Sequence, residues 1–280
     1  MRVIAIIGAG EMGGAAAHAL ARHETAAAIR LVDDRGRVAE GKALDIMQAA
    51  PVERFTTDVS GSADVMSAGG ADIVIIADRV STGEWQGEEG LMLLKRLIGL
   101  APSAVIVCAG ASQRDLVDGG MRELHIDRRR ILGSAPEALA SGARALVALA
   151  VNGSPQDVAV SVLGNPPAQT IIPWDDAAIG GYRLTRLVDD PTRRRLDSRI
   201  RAMWPPGPYA LAAAVGKAVD AIVGRARPLM SCFVAPDDSE GRRARTTALP
   251  VRLGSRGIDA IVLPSLSAID QVALDNAMML

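Results

Sequence analysis

Three glycines and one acid have the residue types and spacing for chemistry. Gly8, Gly10 and Gly13 follow the apolar run Val3-Ile4-Ala5-Ile6-Ile7, and Asp33 stands twenty positions beyond Gly13. Glycines so placed turn a strand into a helix around a pyrophosphate. Gly8 allows the tight turn, Gly10 lets the backbone approach the phosphates, and Gly13 lets the helix pack on the strand. The helix predicted over 11–22 aims the N–H groups of its first residues, Glu11, Met12 and Gly13, at the phosphates. The next strand, 29–33, ends on the Asp33 carboxylate, where the adenosine ribose hydroxyls bind. An acid there favours NAD, because it repels the extra phosphate of NADP.

The elements that must hold this cradle alternate between strand and helix. Segments 71–77 and 104–109 are continuous apolar runs of strand length, as expected of parallel strands buried on both faces, and 130–133 reads as a shorter strand. Helices are predicted over 36–47 and 90–100, the second stopped by Pro102. Beyond Gly133 the pattern changes to a helix over 138–151, a strand over 157–163 carrying Val158, Val160 and Val162, a helix over 209–224 and a final helix over 267–279. The predicted fold is α/β: a Rossmann-type doubly wound parallel sheet over 1–133, then an α+β C-terminal domain over 134–280, with no flexible linker between them.

Bulk properties narrow the function classes. A chain of 280 residues, 49% of them apolar, can bury a large core. Its 31 basic and 32 acidic residues leave a net charge of -1, and aromatics make up 2%. No field recruits nucleic acid and little could stack on bases. The clusters Arg193-Arg194-Arg195 and Arg242-Arg243 read as solvated surface. The opening apolar run is too short for a signal peptide or a membrane span. Cys108 and Cys232 lie far apart in apolar stretches and read as structural residues of a protein in the reducing cytoplasm. No metal site is expected.

The order of motifs resembles the lactate/malate dehydrogenase family over nearly the whole chain. The similar stretches are 6–13; Leu31-Val32-Asp33 with Glu40-Gly41-Lys42-Ala43-Leu44-Asp45-Ile46 and Ala50-Pro51-Val52-Glu53; 70–75; Val162-Leu163-Gly164; 249–258; and Leu274-Asp275-Asn276. Segment 41–53 is most similar to the malate dehydrogenase branch. The resemblance implies that family's two-domain fold, NAD as cofactor and a homodimer or homotetramer. The small-residue face of helix 209–224 (Ala212, Ala213, Ala214, Val215, Ala218, Val219) suits either core or interface.

The chemistry that the resemblance implies is not found at the matching positions. A proton-transferring histidine is expected two residues after Gly164, where Pro166 stands. The three histidines, His18, His23 and His125, all lie in the first half. The aspartate that would orient the histidine is expected after Leu139, where Ala140 stands. Arg144 matches the carboxylate-binding arginine if a two-residue insertion precedes it, and a helix-surface arginine is the alternative. A lid corresponds to 78–90, and Thr82 and Glu88 take the places of its two arginines. A carboxylate substrate at contact distance from Glu88 meets repulsion on the order of 4 kcal/mol at an effective dielectric of about 20. Arg79 stands where the family has a glycine, and would either reach over the pyrophosphate as a cation or obstruct it. The asparagine expected after the Cys108 strand is replaced near Gly110-Ala111-Ser112.

Three readings follow. The first is a catalytically silent family member that keeps the scaffold and NAD. The second is an NAD-dependent oxidoreductase with a rewired site, drawing its proton donor from Glu84, Glu88, Glu89, Glu137 or Tyr209 and acting on a non-anionic hydroxy or oxo substrate. The third is an interaction subunit that binds no nucleotide.

Overall fold

The computed structural model describes residues 2–236 and 245–279; Arg242 and Arg243 lie outside them. In the first half the chain runs β1 (Val3–Ile7), α1 (Glu11–Arg22), β2 (Ala28–Val32), α2 (Gly36–Glu53), β3 (Asp58–Ser62), β4 (Ile73–Ile76), β5 (Asp78–Arg79), β6 (Gly83–Glu84), α3 (Gly87–Leu100), β7 (Val105–Cys108), α4 (Arg114–Arg122) and β8 (Ile131–Gly133). The second half runs α5 (Ala135–Val151), β9 (Val158–Ala159), β10 (Leu163–Asn165), β11 (Gln169–Ile171), β12 (Ala178–Ile179), β13 (Tyr182–Arg183), α6 (Asp190–Arg201), α7 (Pro208–Ile222), β14 (Leu229–Val234), β15 (Thr247–Gly254), β16 (Gly257–Ile261) and α8 (Ala268–Met279).

Strands β3, β2, β1, β4, β7 and β8 lie side by side and parallel. This is the doubly wound order, whose direction reverses between β1 and β4; ligands of such sheets bind outside the carboxyl ends of the strands at that reversal. The sheet then continues antiparallel through β14, β15, β10 and β11, and β16 pairs with the C-terminal part of β15 on the same edge as β10. One residue pair, Phe233 with Gly133, joins β14 to β8.

The apolar runs become strands because both faces of the sheet are covered. Ile4, Ile6, Leu31, Ile75 and Val107 point into one core with α1, α2 and α7. Their neighbours Ala5, Ile7, Val74, Ile76 and Ile106 point into a second core with α3 and α4. A third core forms where Leu139, Ala140, Ala143 and Val147 of α5 meet Val158, Val160, Val162 and α6. Each fully buried Ile or Leu contributes about 1.5–3 kcal/mol.

Several expectations from sequence need correction. Helix α2 runs past residue 47 to Glu53 and tolerates Pro51 in its last turn, where one missing N–H costs a single bond, before Arg54 closes it in the left-handed conformation (φ 63°). The strand expected over 157–163 is split. Val158–Ala159 pairs with β12 in a small sheet, whereas Leu163–Asn165 pairs with β11 and β15 in the large one. The chain changes sheets between them, so the alternating valines are all buried without forming one ladder.

Candidate functional site: a self-filled dinucleotide cleft

The carboxyl ends of β1, β2, β4 and β7 surround the reversal point. Gly8 leaves β1 with φ +119°, and a Cβ there would lie 2.4 Å from the Asp78 carbonyl oxygen. Gly13 lies so close to Gly8 that a Cβ would sit 2.0 Å from the Gly8 carbonyl oxygen, which is how α1 packs on the strand. Both glycines do the work predicted of them. Lys42 of α2 donates from Nζ to the Gly10 carbonyl oxygen at 2.6 Å and braces the turn from outside.

Asp33 follows β2 directly, one residue beyond the strand that the sequence predicted to end on it, and it is 3% exposed. Its Oδ2 accepts the N–H of Ala9 at 2.8 Å and of Val80 at 3.1 Å, and its Oδ1 accepts that of Arg35 at 2.9 Å. Burial pushes the Asp33 carboxyl up. Hydrogen bonds from the Ala9, Arg35 and Val80 N–H groups outweigh burial and hold it below the usual aspartate value. Beside it opens a cavity of 350 Å³ lined by Val32, Asp33, Val65, Trp85, Met92 and Leu93 among others. An apolar slot next to a buried acid has the chemistry for an adenosine group.

The other end of the cradle is filled by the chain itself. Asp78, the first residue of β5, places Oδ1 2.9 Å from the Gly13 N–H and Oδ2 3.3 Å from the Met12 N–H. These are first-turn amides of α1, where a pyrophosphate binds in such folds. A Cβ on Gly10 would meet Asp78 Oδ2 at 2.2 Å, so the bare backbone at Gly10 is approached here by a side chain rather than by a phosphate. At the far end of the cleft, Glu84 accepts the N–H groups of Ala111 at 2.9 Å and Ser112 at 2.7 Å in the loop after β7.

Arg79, expected at the pyrophosphate, is engaged elsewhere. Its Nη1 lies 2.5 Å from Glu89 Oε1, its guanidinium stacks 4.0 Å from the Trp85 ring centroid, and it is 9% exposed. Both partners belong to the lid and the start of α3. Glu11 is exposed in the first turn of α1, and Met12 contributes its N–H while its side chain is buried.

The positions matched to catalytic groups lie as follows. Ala140 is fully buried in the third core. Pro166 follows Asn165, whose amide donates to the Ala277 carbonyl oxygen at 2.7 Å and accepts the Thr247 hydroxyl at 3.0 Å. Arg144, the candidate substrate residue, has its Nη2 2.5 Å from Glu137 Oε1, and Lys217 Nζ reaches the same oxygen at 2.5 Å. Glu137 is 2% exposed and also accepts the Ser231 N–H. Arg144 and Lys217 line a separate 310 Å³ cavity with Val158, Val160 and Asp176.

Asp78 and Lys42 were not singled out as site residues in the sequence. Asp78 acts on amides more than sixty residues earlier in the chain. The signal that could have found it is topological: the segment that follows β4 borders the reversal point in this strand order.

A glycine turn into α1, a buried acid after β2 and a sheet that reverses between β1 and β4 define a Rossmann-type dinucleotide-binding protein with an antiparallel extension. Residues 2–99 match the family model described as lactate/malate dehydrogenase, NAD binding domain. The chain is 25% identical to a malate dehydrogenase of Chlorobium phaeobacteroides, with 97% of this chain and 93% of the relative covered. It is 27% identical to an L-lactate dehydrogenase of Allorhizobium ampelinum, with 97% and 94% covered. The crystal structure of malate dehydrogenase from Plasmodium falciparum in complex with NADH superposes with a TM-score of 0.90 at 18% identity, covering 98% of this chain and 94% of that one. Residues 2–99 thus carry the NAD-binding domain of the lactate/malate dehydrogenase family, and the chain is similar to malate and lactate dehydrogenases along nearly its whole length. NAD is the cofactor of the domain it carries. The adenosine side of the cleft suits that cofactor; the amides for its diphosphate are taken by Asp78. No helix among the described residues is long and apolar enough to cross a membrane.

Proposed function

We propose that this protein is a catalytically silent member of the family, which keeps the dinucleotide scaffold and lacks the proton-transfer and carboxylate-binding groups of a 2-hydroxy acid dehydrogenase. The reading rests on Pro166, a residue with no proton to exchange, at the position matched to the histidine. Ala140 within the apolar core and Arg144 paired with Glu137 point the same way. Residues 1–133 are the NAD-binding domain and 134–280 the substrate-type domain, and the chain assembles as a homo-oligomer.

The test is to incubate purified protein with NADH and oxaloacetate, pyruvate or a panel of 2-oxo acids and follow NADH consumption. No turnover is expected. Turnover at ordinary enzyme rates, of about 1 per second or more, overturns the reading. Turnover confined to a neutral or cationic oxo compound would instead establish a rewired oxidoreductase, for which Glu84, at the Ala111–Ser112 amides, is the best placed acid.

A further inference from the structure

Asp78 and Glu84 are direct partners across the two-stranded β5–β6 hairpin. Two like charges directly opposite in a ladder destabilise it unless each is used elsewhere. Here both are used. Asp78 takes the Met12 and Gly13 amides at the N-terminus of α1, and Glu84 takes the Ala111 and Ser112 amides across the cleft. The fit is close at both ends, because a Cβ at Gly10 would meet the Asp78 carboxylate at 2.2 Å and one at Gly110 would meet the Glu84 carboxyl carbon at 2.4 Å. Between the prongs, the Val80 N–H binds Asp33 and the Ser81 hydroxyl binds Asp34, so the hairpin tip is tied to the end of β2. Behind it, Arg79 is pinned between Glu89 and Trp85.

We propose that the β5–β6 hairpin is a built-in anionic plug and that Asp78 determines what the cleft accepts. The Asp78 carboxylate has the charge and the acceptor oxygens of a phosphate and holds the same kind of donors. A diphosphate and this carboxylate cannot both hold the α1 amides, so a dinucleotide binds only by displacing Asp78. A ligand without the diphosphate meets no such competition in the slot beside Asp33. This inference rests on the reading that the scaffold binds NAD.

The experiment titrates NADH, and separately adenosine, into wild type, Asp78→Ala and Asp78→Asn by calorimetry, with a melting temperature for each protein alone and at saturating NADH. Asp78→Ala is expected to bind NADH about tenfold or more tightly than wild type, with adenosine affinity unchanged. Asp78 also caps α1, so the same variant should melt lower than wild type without ligand and gain more from NADH. A residue that only capped the helix would give the first effect without the second. If Asp78→Ala does not fold, Asp78→Asn decides, because it keeps the shape and removes the charge. Equal NADH affinity in wild type and a folded variant overturns the plug while leaving the scaffold reading intact. Absence of NADH and adenosine binding in every protein overturns the scaffold reading and the plug with it.

Discussion

Glu137 and Lys217 are 80 residues apart in sequence and 2.5 Å apart in space, joining α5 to α7 through a carboxylate that Arg144 shares at the same distance. Glu137 is 2% exposed, and the Ser231 N–H satisfies its second oxygen. Removing the shared anion leaves two cations facing each other beside the core. Glu137→Ala is expected to cost about 3–5 kcal/mol of unfolding free energy, measured by urea denaturation. Lys217→Ala should cost less, because Arg144 still neutralises the acid. Equal losses from the two substitutions would show that Glu137 is not the hub of the cluster.

Ala140 and Pro166 mark where a dehydrogenase site would be rebuilt, and the packing argues against success. The Ala140 methyl is fully buried among Val158, Val160 and Val162. Ala140→Asp puts an unpaired carboxylate there, at an expected cost of about 3 kcal/mol or more. Combining it with Pro166→His is expected to yield no 2-oxo acid turnover. A double variant of wild-type stability that consumes NADH with oxaloacetate would refute this.

Two helical glycines should respond with opposite sign. A Cβ at Gly13 would sit 2.0 Å from backbone oxygen, whereas one at Gly41 meets nothing within 4 Å. Gly41→Ala should stabilise by up to ~1 kcal/mol through helix propensity. Gly13→Ala should lower the melting temperature by forcing α1 off β1. A neutral Gly13→Ala would mean that the helix has room to shift.

Asp33 gives a pH signature. Its folded pKa is lowered, so the stability it contributes is fully present above the unfolded value of about 3.9 and is lost as pH falls through the folded value. The gap in melting temperature between wild type and Asp33→Asn should be constant above ~pH 5 and narrow below ~pH 4. A gap that widens in acid would reverse the assignment.

Both cysteines should be silent to thiol reagents in the native state. Cys108 and Cys232 are fully buried, and burial pushes the Cys108 thiol up to about 12 and the Cys232 thiol also upward. Labelling of two thiols after unfolding and none before is the expected count. Rapid labelling of the folded protein would mean that the sheet opens locally.

What the sequence displays well is whatever depends on near neighbours. The turn at Gly8, the helix packing at Gly13 and the buried runs of β4 and β7 all follow from local pattern. What it conceals depends on approach between distant segments. Nothing in Asp78-Arg79-Val80 says that Asp78 turns to α1 while Arg79 turns to Trp85, because their separation in space is decided by the sheet order and by the pairing of β5 with β6. Likewise, Val158 to Val162 looks like one strand until β9 and β10 are seen to serve different sheets.

The carboxylate that fills the cradle also has a genetic meaning. Aspartate codons differ by a single base from codons for alanine, glycine and asparagine. An open cradle and a self-filled one are therefore adjacent in sequence space at position 78, with α1 and its glycines unchanged. A lineage could close its cofactor site, or reopen it, by one point mutation, long before the rest of the scaffold recorded the change.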